Sequence, residues 1–148
     1  MNRRQLIKRL ALGAAALTLM PLKALAAWNQ KAFHSEFVDP AVEGLFGSKD
    51  AKPSVEIELK APTIAENGAL VPITVRTDLP NVTRIAIAVH ENPRPLAAAF
   101  ELSPLSVADV ATRVRMAKTT DVTAYVESDG QLYSVTQQVK VTIGGCGG

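Results

Sequence analysis

Between residues 54 and 143 apolar side chains recur at every second position, and this period of two limits the fold more than any other feature of the sequence. Such alternation is typical of half-buried β-strands. Turn signals such as Asn67-Gly68 and Asp129-Gly130 separate seven or eight short runs, and no long helical pattern lies between them. The physical solution is two antiparallel sheets packed face to face, so we predict an all-β, immunoglobulin-like sandwich over residues 54–143. Two examples of the alternation are the run Val55, Ile57 and Leu59 and the run Ile85, Ile87 and Val89.

Residues 27–53 have a different pattern and are predicted to form a short helical segment and a linker. The pairs Trp28 and Ala32, and Phe33 and Phe37, are four residues apart and could share one helix face. Asp39-Pro40 is typical of an N-cap followed by the first helical position. This aromatic cluster could bind a partner, but packing onto the predicted sheet is favoured.

Residues 1–26 are typical of a bacterial export signal. They contain five basic residues and no acidic one, and an apolar stretch of 13 residues spans 10–22, shorter than the ~20 needed to cross a bilayer. Ala24-Leu25-Ala26 follows as a small-residue cleavage site. Arg3 and Arg4 indicate the twin-arginine type of signal, although the ordinary secretion route stays open. We therefore expect a mature chain that begins near Ala27.

The basic balance of the chain belongs to this signal. Five of the 16 Lys and Arg residues lie in residues 1–26. The rest of the chain contains 11 Lys and Arg residues and all 14 Asp and Glu residues, so this body has a formal net charge of −3. An acidic body counts against nucleic acid and against anionic membrane surfaces as partners. After removal of the signal we therefore expect no contact with a membrane.

No residue pattern in the body predicts catalysis. The single Cys rules out a Cys cluster, the two His are too few for a histidine metal site, and no Ser-His-Asp arrangement is visible. We therefore expect no metal, no cofactor and no catalytic residue. The candidates that can be explained as ordinary surface side chains are His34, His90, the pair Glu56 and Glu58, and the pair Arg113 and Arg115.

The last five residues are the exception. They place Cys146 between Gly144, Gly145, Gly147 and Gly148. An unpaired thiol is a liability in an oxidising compartment, so its presence suggests that the thiol is functional. Glycine allows a thin and flexible arm, and three residues beyond Ile143 let the thiol stand roughly 10 Å clear of the sheet. Because no neighbour in the sequence would activate the thiol, the pattern favours a carrier over an enzyme.

An export signal, a small β-sandwich and a Gly-Gly-Cys-Gly-Gly segment together resemble the SoxY family, the covalent sulfur carriers of bacterial thiosulfate oxidation. The likeness extends to Asn92-Pro93-x-Pro95-Leu96, to the run Thr112 to Met116 with Thr119-Thr120 after it, and to Asp129-Gly130. It covers essentially the whole mature chain.

This resemblance implies a periplasmic carrier that works as a heterodimer with SoxZ, a second sandwich protein without its own signal. It implies that the haem enzyme SoxAX couples thiosulfate to Cys146, that SoxB hydrolyses off sulfate, and that a sulfane dehydrogenase, where present, oxidises the remaining sulfur. Gly144, Gly145, Gly147 and Gly148 would form the arm. Arg3 and Arg4 would export both partners together.

Two other functions remain open on the sequence. A ubiquitin-like sulfur carrier also ends in Gly-Gly and bears sulfur as a thiocarboxylate, but the export signal and the Cys argue against it. An exported immunoglobulin-like binding module could use its single Cys for an intermolecular disulfide. Sulfur on Cys146, sulfur on Gly148 or a disulfide dimer would distinguish the three.

Overall fold

The computed structural model describes residues 29–142. Two short helices precede nine strands, and no helix in this range is long and apolar enough to cross a bilayer. The helices are α1 (Gln30–Phe33) and α2 (Val38–Phe46). The strands are β1 (Lys52–Pro53), β2 (Ile57–Lys60), β3 (Ile64–Ala65), β4 (Val71–Thr77), β5 (Val82–Val89), β6 (Leu96–Glu101), β7 (Asp109–Val114), β8 (Thr120–Ser128) and β9 (Gln131–Val141).

The strands form two sheets, which confirms the predicted sandwich. The larger sheet has the order β1-β9-β8-β5-β6 with β3 also beside β9, and the smaller sheet has the order β2-β4-β7. In immunoglobulin lettering the smaller sheet is A-B-E and the four long strands of the larger one are G-F-C-C′. Two pairings were not predicted, because β1 and β3 each run parallel to β9 over only two residues.

The core between the sheets is built from the alternating residues. Ile73 of β4, Ile85 and Ile87 of β5, and Val122 and Val126 of β8 are fully buried. Each such side chain contributes about 1.5–3 kcal/mol relative to exposure, so this layer is the main source of stability. The register that keeps these residues inside also fixes which ends of the strands meet.

The two helices pack on the outer face of the larger sheet, which confirms the favoured interpretation for the helices and for Phe33, although not for exposed Phe37. Ala86 and Ala88 of β5 are almost completely buried beneath Ala32, Ala41 and Val42. On the sequence alone, the apolar residues Ala86, Ala88 and 97–99 predict a partner surface, because they exceed what a monomer of this size needs to bury. For Ala86 and Ala88 this reasoning is wrong, because small alanines let the chain's own helices approach the sheet.

Arg84 fastens the end of α2 to the sheet. Its guanidinium donates to the Leu45 carbonyl, pairs with Glu101 at 3.3 Å, and lies over the Phe46 ring at 5.7 Å from its centroid. The same ring packs 6.4 Å from the ring of Tyr125. Burial raises the pKa of the Tyr125 hydroxyl, and the negative charge of Asp39 raises it further.

Helix α2 begins two residues earlier than predicted. Phe37 is its extended N-cap, with φ −126° and ψ 149°, and Asp39-Pro40 lies in the first turn, where proline is tolerated. Phe37 is 70% exposed and does not share a face with half-buried Phe33. The predicted partner of Ala32, Trp28, lies outside the described residues.

Strand β2 begins at Ile57, so the predicted inclusion of Val55 is wrong. The Ser54 hydroxyl accepts a hydrogen bond from the Glu56 backbone N–H at 3.2 Å and closes a turn that leaves Val55 fully exposed. The chain needs this turn because it crosses there from the larger sheet to the smaller one. A proline within a strand predicts an edge or a bulge. Pro72 lies in a part of β4 that has only β7 beside it, since β2 pairs with residues 74–77 alone.

Candidate functional site

The predicted arm follows β9, so the end of the sandwich at which β9 stops is the candidate functional site. Three loops meet there, formed by residues 61–70, 90–95 and 115–119. We refer to these loops, the two strand residues on either side of each loop and the last two residues of β9 as the exit end. Ile143, Cys146 and the glycines Gly144, Gly145, Gly147 and Gly148 lie outside the described residues, as do Arg3 and Arg4 of the signal. The structure therefore describes the root of the arm.

The root is hydrogen-bonded on both of its sides. On one side the Thr142 backbone N–H donates to the Ala65 carbonyl at 3.1 Å. On the other side the Thr119 hydroxyl accepts from the Val141 N–H at 3.0 Å and donates to the Val141 carbonyl at 3.4 Å. The backbone is consequently held up to Thr142, four residues before Cys146.

Gly68 packs directly against this root. Its carbonyl accepts a hydrogen bond from the Met116 N–H at 2.7 Å. A Cβ at this position would lie 2.5 Å from the Met116 carbonyl oxygen and 2.9 Å from Cγ1 of Val141. Only glycine fits, so the turn predicted at Asn67-Gly68 also serves as a close contact between loop 61–70, loop 115–119 and β9.

Gly68→Ala is expected to destabilise the protein by about 1–3 kcal/mol, because a backbone atom must move to accommodate the methyl group. Urea unfolding followed by circular dichroism measures this change. Gly44→Ala is the matched control. Its Cβ would lie 3.4 Å from the Cβ of Ala32, an ordinary contact distance. Gly44 lies inside α2, where alanine is more stable than glycine by about 0.5–1 kcal/mol. Equal stability of the two variants would contradict the tight packing at Gly68.

Asn92 joins the other two loops of the exit end. Its side-chain amide donates to the Arg115 carbonyl at 2.6 Å and accepts from the Ala117 N–H at 3.1 Å. The same loop is closed by a 2.8 Å hydrogen bond from the Val89 N–H to the Pro95 carbonyl. Asn92 therefore bridges loops 90–95 and 115–119 and gives hydrogen-bond partners to two backbone groups of loop 115–119.

Two of the three internal motifs that carried the family resemblance meet at this end, residues 92–96 and residues 112–116 with 119–120. Asn92 joins the first motif to loop 115–119, and Thr119 of the second contacts the root at Val141. The third motif, Asp129-Gly130, forms the turn between β8 and β9 at the opposite end, with φ of 49° and 71°. Sequence reasoning found these motifs but missed their convergence and the contact at Gly68, because neither has a local signal.

The other titratable candidates have ordinary partners. The His90 ring Nε2 lies 2.8 Å from the Thr123 hydroxyl, and the His34 ring Nδ1 lies 2.8 Å from the Gln30 carbonyl. A hydrogen bond from Lys118 at 2.7 Å, together with its charge, lowers the pKa of Glu91. Over residues 29–142, no group of three His, Cys, Asp or Glu side chains is placed to hold a metal ion.

Comparison with known proteins identifies the family. The family model described as sulfur oxidation protein SoxY matches residues 42–146, which include Cys146. The structure of the sulfur carrier protein SoxY from Chlorobium limicola f thiosulfatophilum is 44% identical, covers 71% of this chain and 96% of that one, and superposes with a TM-score of 0.65.

More distant structures share the fold alone. Superoxide reductase (neelaredoxin) from Ignicoccus hospitalis is 17% identical over 58% of this chain and 80% of that one, with a TM-score of 0.52. A substituted form of the same reductase, matched over 79% of its length, gives a TM-score of 0.53. No curated protein sequence matches the chain. Because the family model spans most of the chain and the 44% identical structure spans the sandwich, this chain belongs to the SoxY family of sulfur oxidation proteins.

Proposed function

We propose that this protein is a sulfur carrier that binds thiosulfate-derived sulfur covalently through Cys146 and presents it to the enzymes of sulfur oxidation. The observation that carries the proposal is the position of the single thiol. It lies within the family match and four residues beyond Thr142, whose backbone is hydrogen-bonded at the root. Four residues span at most about 14 Å, and four of the last five residues are glycine, which adds no width to the arm.

The reactions follow from the chemistry that the family resemblance implies. In loading, the Cys146 thiol and thiosulfate lose two electrons to the haem enzyme SoxAX and one proton to solvent, and an S–S bond joins the thiol to the outer sulfur. In the next step, water attacks at SoxB, the bond between the outer sulfur and the sulfonate breaks, and sulfate and a proton are released. A persulfide remains on Cys146, for a sulfane dehydrogenase where one is present.

Intact-mass spectrometry and peptide mapping test this proposal. After incubation with thiosulfate and the haem enzyme, we expect one adduct, located on the peptide that contains Cys146 and removed by reducing agent. Prior alkylation with iodoacetamide should prevent it. An adduct on Gly148 would support the thiocarboxylate alternative, and a disulfide dimer without any adduct would support the binding module, so either result would refute the carrier proposal.

We also propose that the carrier works in the periplasm as a heterodimer with SoxZ. The support is the pattern of residues 1–26 together with membership of a family whose resemblance implies a partner without its own signal. A twin-arginine signal exports folded protein, so one signal could serve both chains.

The double change Arg3→Lys and Arg4→Lys is therefore expected to keep both this chain and its partner in the cytoplasm. Cell fractionation followed by immunoblotting measures their location. Arg9→Lys is the matched control, since it makes the same substitution outside the pair and should leave export unchanged. Normal export of the double variant would mean that the ordinary secretion route is used.

A further inference from the structure

The charged side chains of the sandwich are sorted by end, although they are mixed along the sequence. The exit end carries six basic and three acidic side chains, which gives a formal charge of +3. The rest of the two sheets and the turns that connect their strands carry three basic and seven acidic side chains, a formal charge of −4. The basic side chains of the exit end are Lys60, Arg94, Arg113, Arg115, Lys118 and Lys140, and the acidic ones are Glu66, Glu91 and Asp121.

Most of this positive charge is not neutralised locally. Lys60 and Lys118 each pair with a neighbouring carboxylate, at 3.3 Å and 2.7 Å. Within the described part of the chain, the other four cations have no carboxylate within salt-bridge distance. All four are exposed. The exit end is therefore a positive surface on a protein body that carries −3 overall.

The short reach of the arm makes this surface relevant to every transfer. Cys146 lies at most about 14 Å from Thr142, so a site that accepts the thiol must come within that distance of the exit end. At physiological ionic strength the Debye length is about 8 Å, so charges around the mouth of that site act strongly on the exit end once the two surfaces approach within about that distance.

We propose that the exit end is an electrostatic docking surface for enzymes whose acidic residues surround the site that receives Cys146. This inference rests on the proposed carrier function and names the kind of surface that the carrier fits. A protein surface suits the arrangement better than a small anion does. The cations are exposed and spread over β7, loops 90–95 and 115–119, and β9, so no single small ion can touch them all, whereas an enzyme surface can.

Reversing two of these charges tests the proposal. The double change Arg113→Glu and Arg115→Glu, in the heterodimer, is expected to lower kcat/KM for enzymatic loading by about tenfold at low salt, because steering by charge raises association rates by 10-fold or more. The loss should shrink at high salt, where the charges are screened, and kcat should stay close to the original value. Stopped assays with intact-mass readout measure both quantities.

Two controls separate the possible causes. Lys52→Glu with Arg76→Glu makes the same change in net charge away from the exit end, and should load like the original protein. Alkylation of Cys146 by anionic iodoacetate and by neutral iodoacetamide should be unaffected by the Arg113 and Arg115 changes. If those changes slow iodoacetate as strongly as the enzyme, the surface attracts small anions and the docking proposal is wrong.

Loading that is equally fast in all these variants would also overturn the docking proposal, while leaving Cys146 as the carrier residue. Failure of the carrier function itself would look different. In that case the unmodified protein would gain no adduct on Cys146, whatever the charges at the exit end.

Discussion

Cys146→Ser is expected to abolish covalent loading with thiosulfate completely and to leave the free energy of unfolding nearly unchanged. Cys146 carries the only thiol among 148 residues, and a serine hydroxyl cannot form the S–S bond. The core between the two sheets is built from residues 57–141, so we expect a replacement at position 146 to leave it intact. Intact-mass spectrometry after incubation with thiosulfate and the haem enzyme measures the first effect, and thermal unfolding measures the second.

A relocated thiol provides the control for this variant. Thr142→Cys in the Cys146→Ser background places an exposed thiol at the root, four residues short of its normal position. We expect iodoacetamide to alkylate this thiol while enzymatic loading stays undetectable, because the thiol can no longer reach a recessed site. A mass gain in Cys146→Ser itself, or efficient loading at position 142, would refute the role of Cys146 as a thiol on an extended arm.

Replacing Gly145 and Gly147 together with valine is expected to lower kcat/KM for enzymatic loading by about 100-fold, because small misplacements of a reacting group can cost that much. Valine widens the segment and restricts its backbone, whereas the thiol itself is retained. The reaction of Cys146 with iodoacetamide should keep its original rate, since a small reagent needs no narrow channel. Loading and alkylation are both measured by intact mass.

The corresponding alanine variant tests whether loading falls in proportion to side-chain size. Gly145→Ala with Gly147→Ala adds one methyl group at each position and should fall between the original protein and the valine variant. If the valine variant loads at the original rate, a thin glycine segment is unnecessary for transfer. If it instead loses alkylation as well as loading, the substitution has changed the accessibility of the thiol and the channel explanation fails.

Much of the fold could be predicted because its signals are local. The period of two specifies which side of each strand is buried, and Ile85, Ile87 and Val89 do face the core as the alternation predicts. Asp129-Gly130 forms the expected hairpin turn because both residues adopt positive φ, which these residue types tolerate. The wrong start of β2 at Val55 has an equally local cause, since the Ser54 hydroxyl closes a turn that alternation does not register.

The interpretation of the alanine-rich face required the tertiary structure. Ala86 and Ala88 are apolar and lie on the outer side of a sheet, and the sequence contains nothing that says what covers them. The structure supplies helices α1 and α2, which reach this face only because residues 47–56 lead the chain back across the sandwich. A contact of this kind depends on the path of the chain, and residue periodicity does not encode that path.

The sequence by itself determined the alternating strands, the acidic body, the export pattern and the single Cys146 among glycines, because composition and spacing are properties of neighbouring residues. Only the tertiary structure decided what surrounds the root of the arm. Antiparallel pairing brings residues 61–70, 90–95 and 115–119 to one end of the sandwich, where Gly68 admits no side chain and the charge is +3. These properties arise from strand pairing over long sequence separations, and pairing places side chains together regardless of their order along the chain.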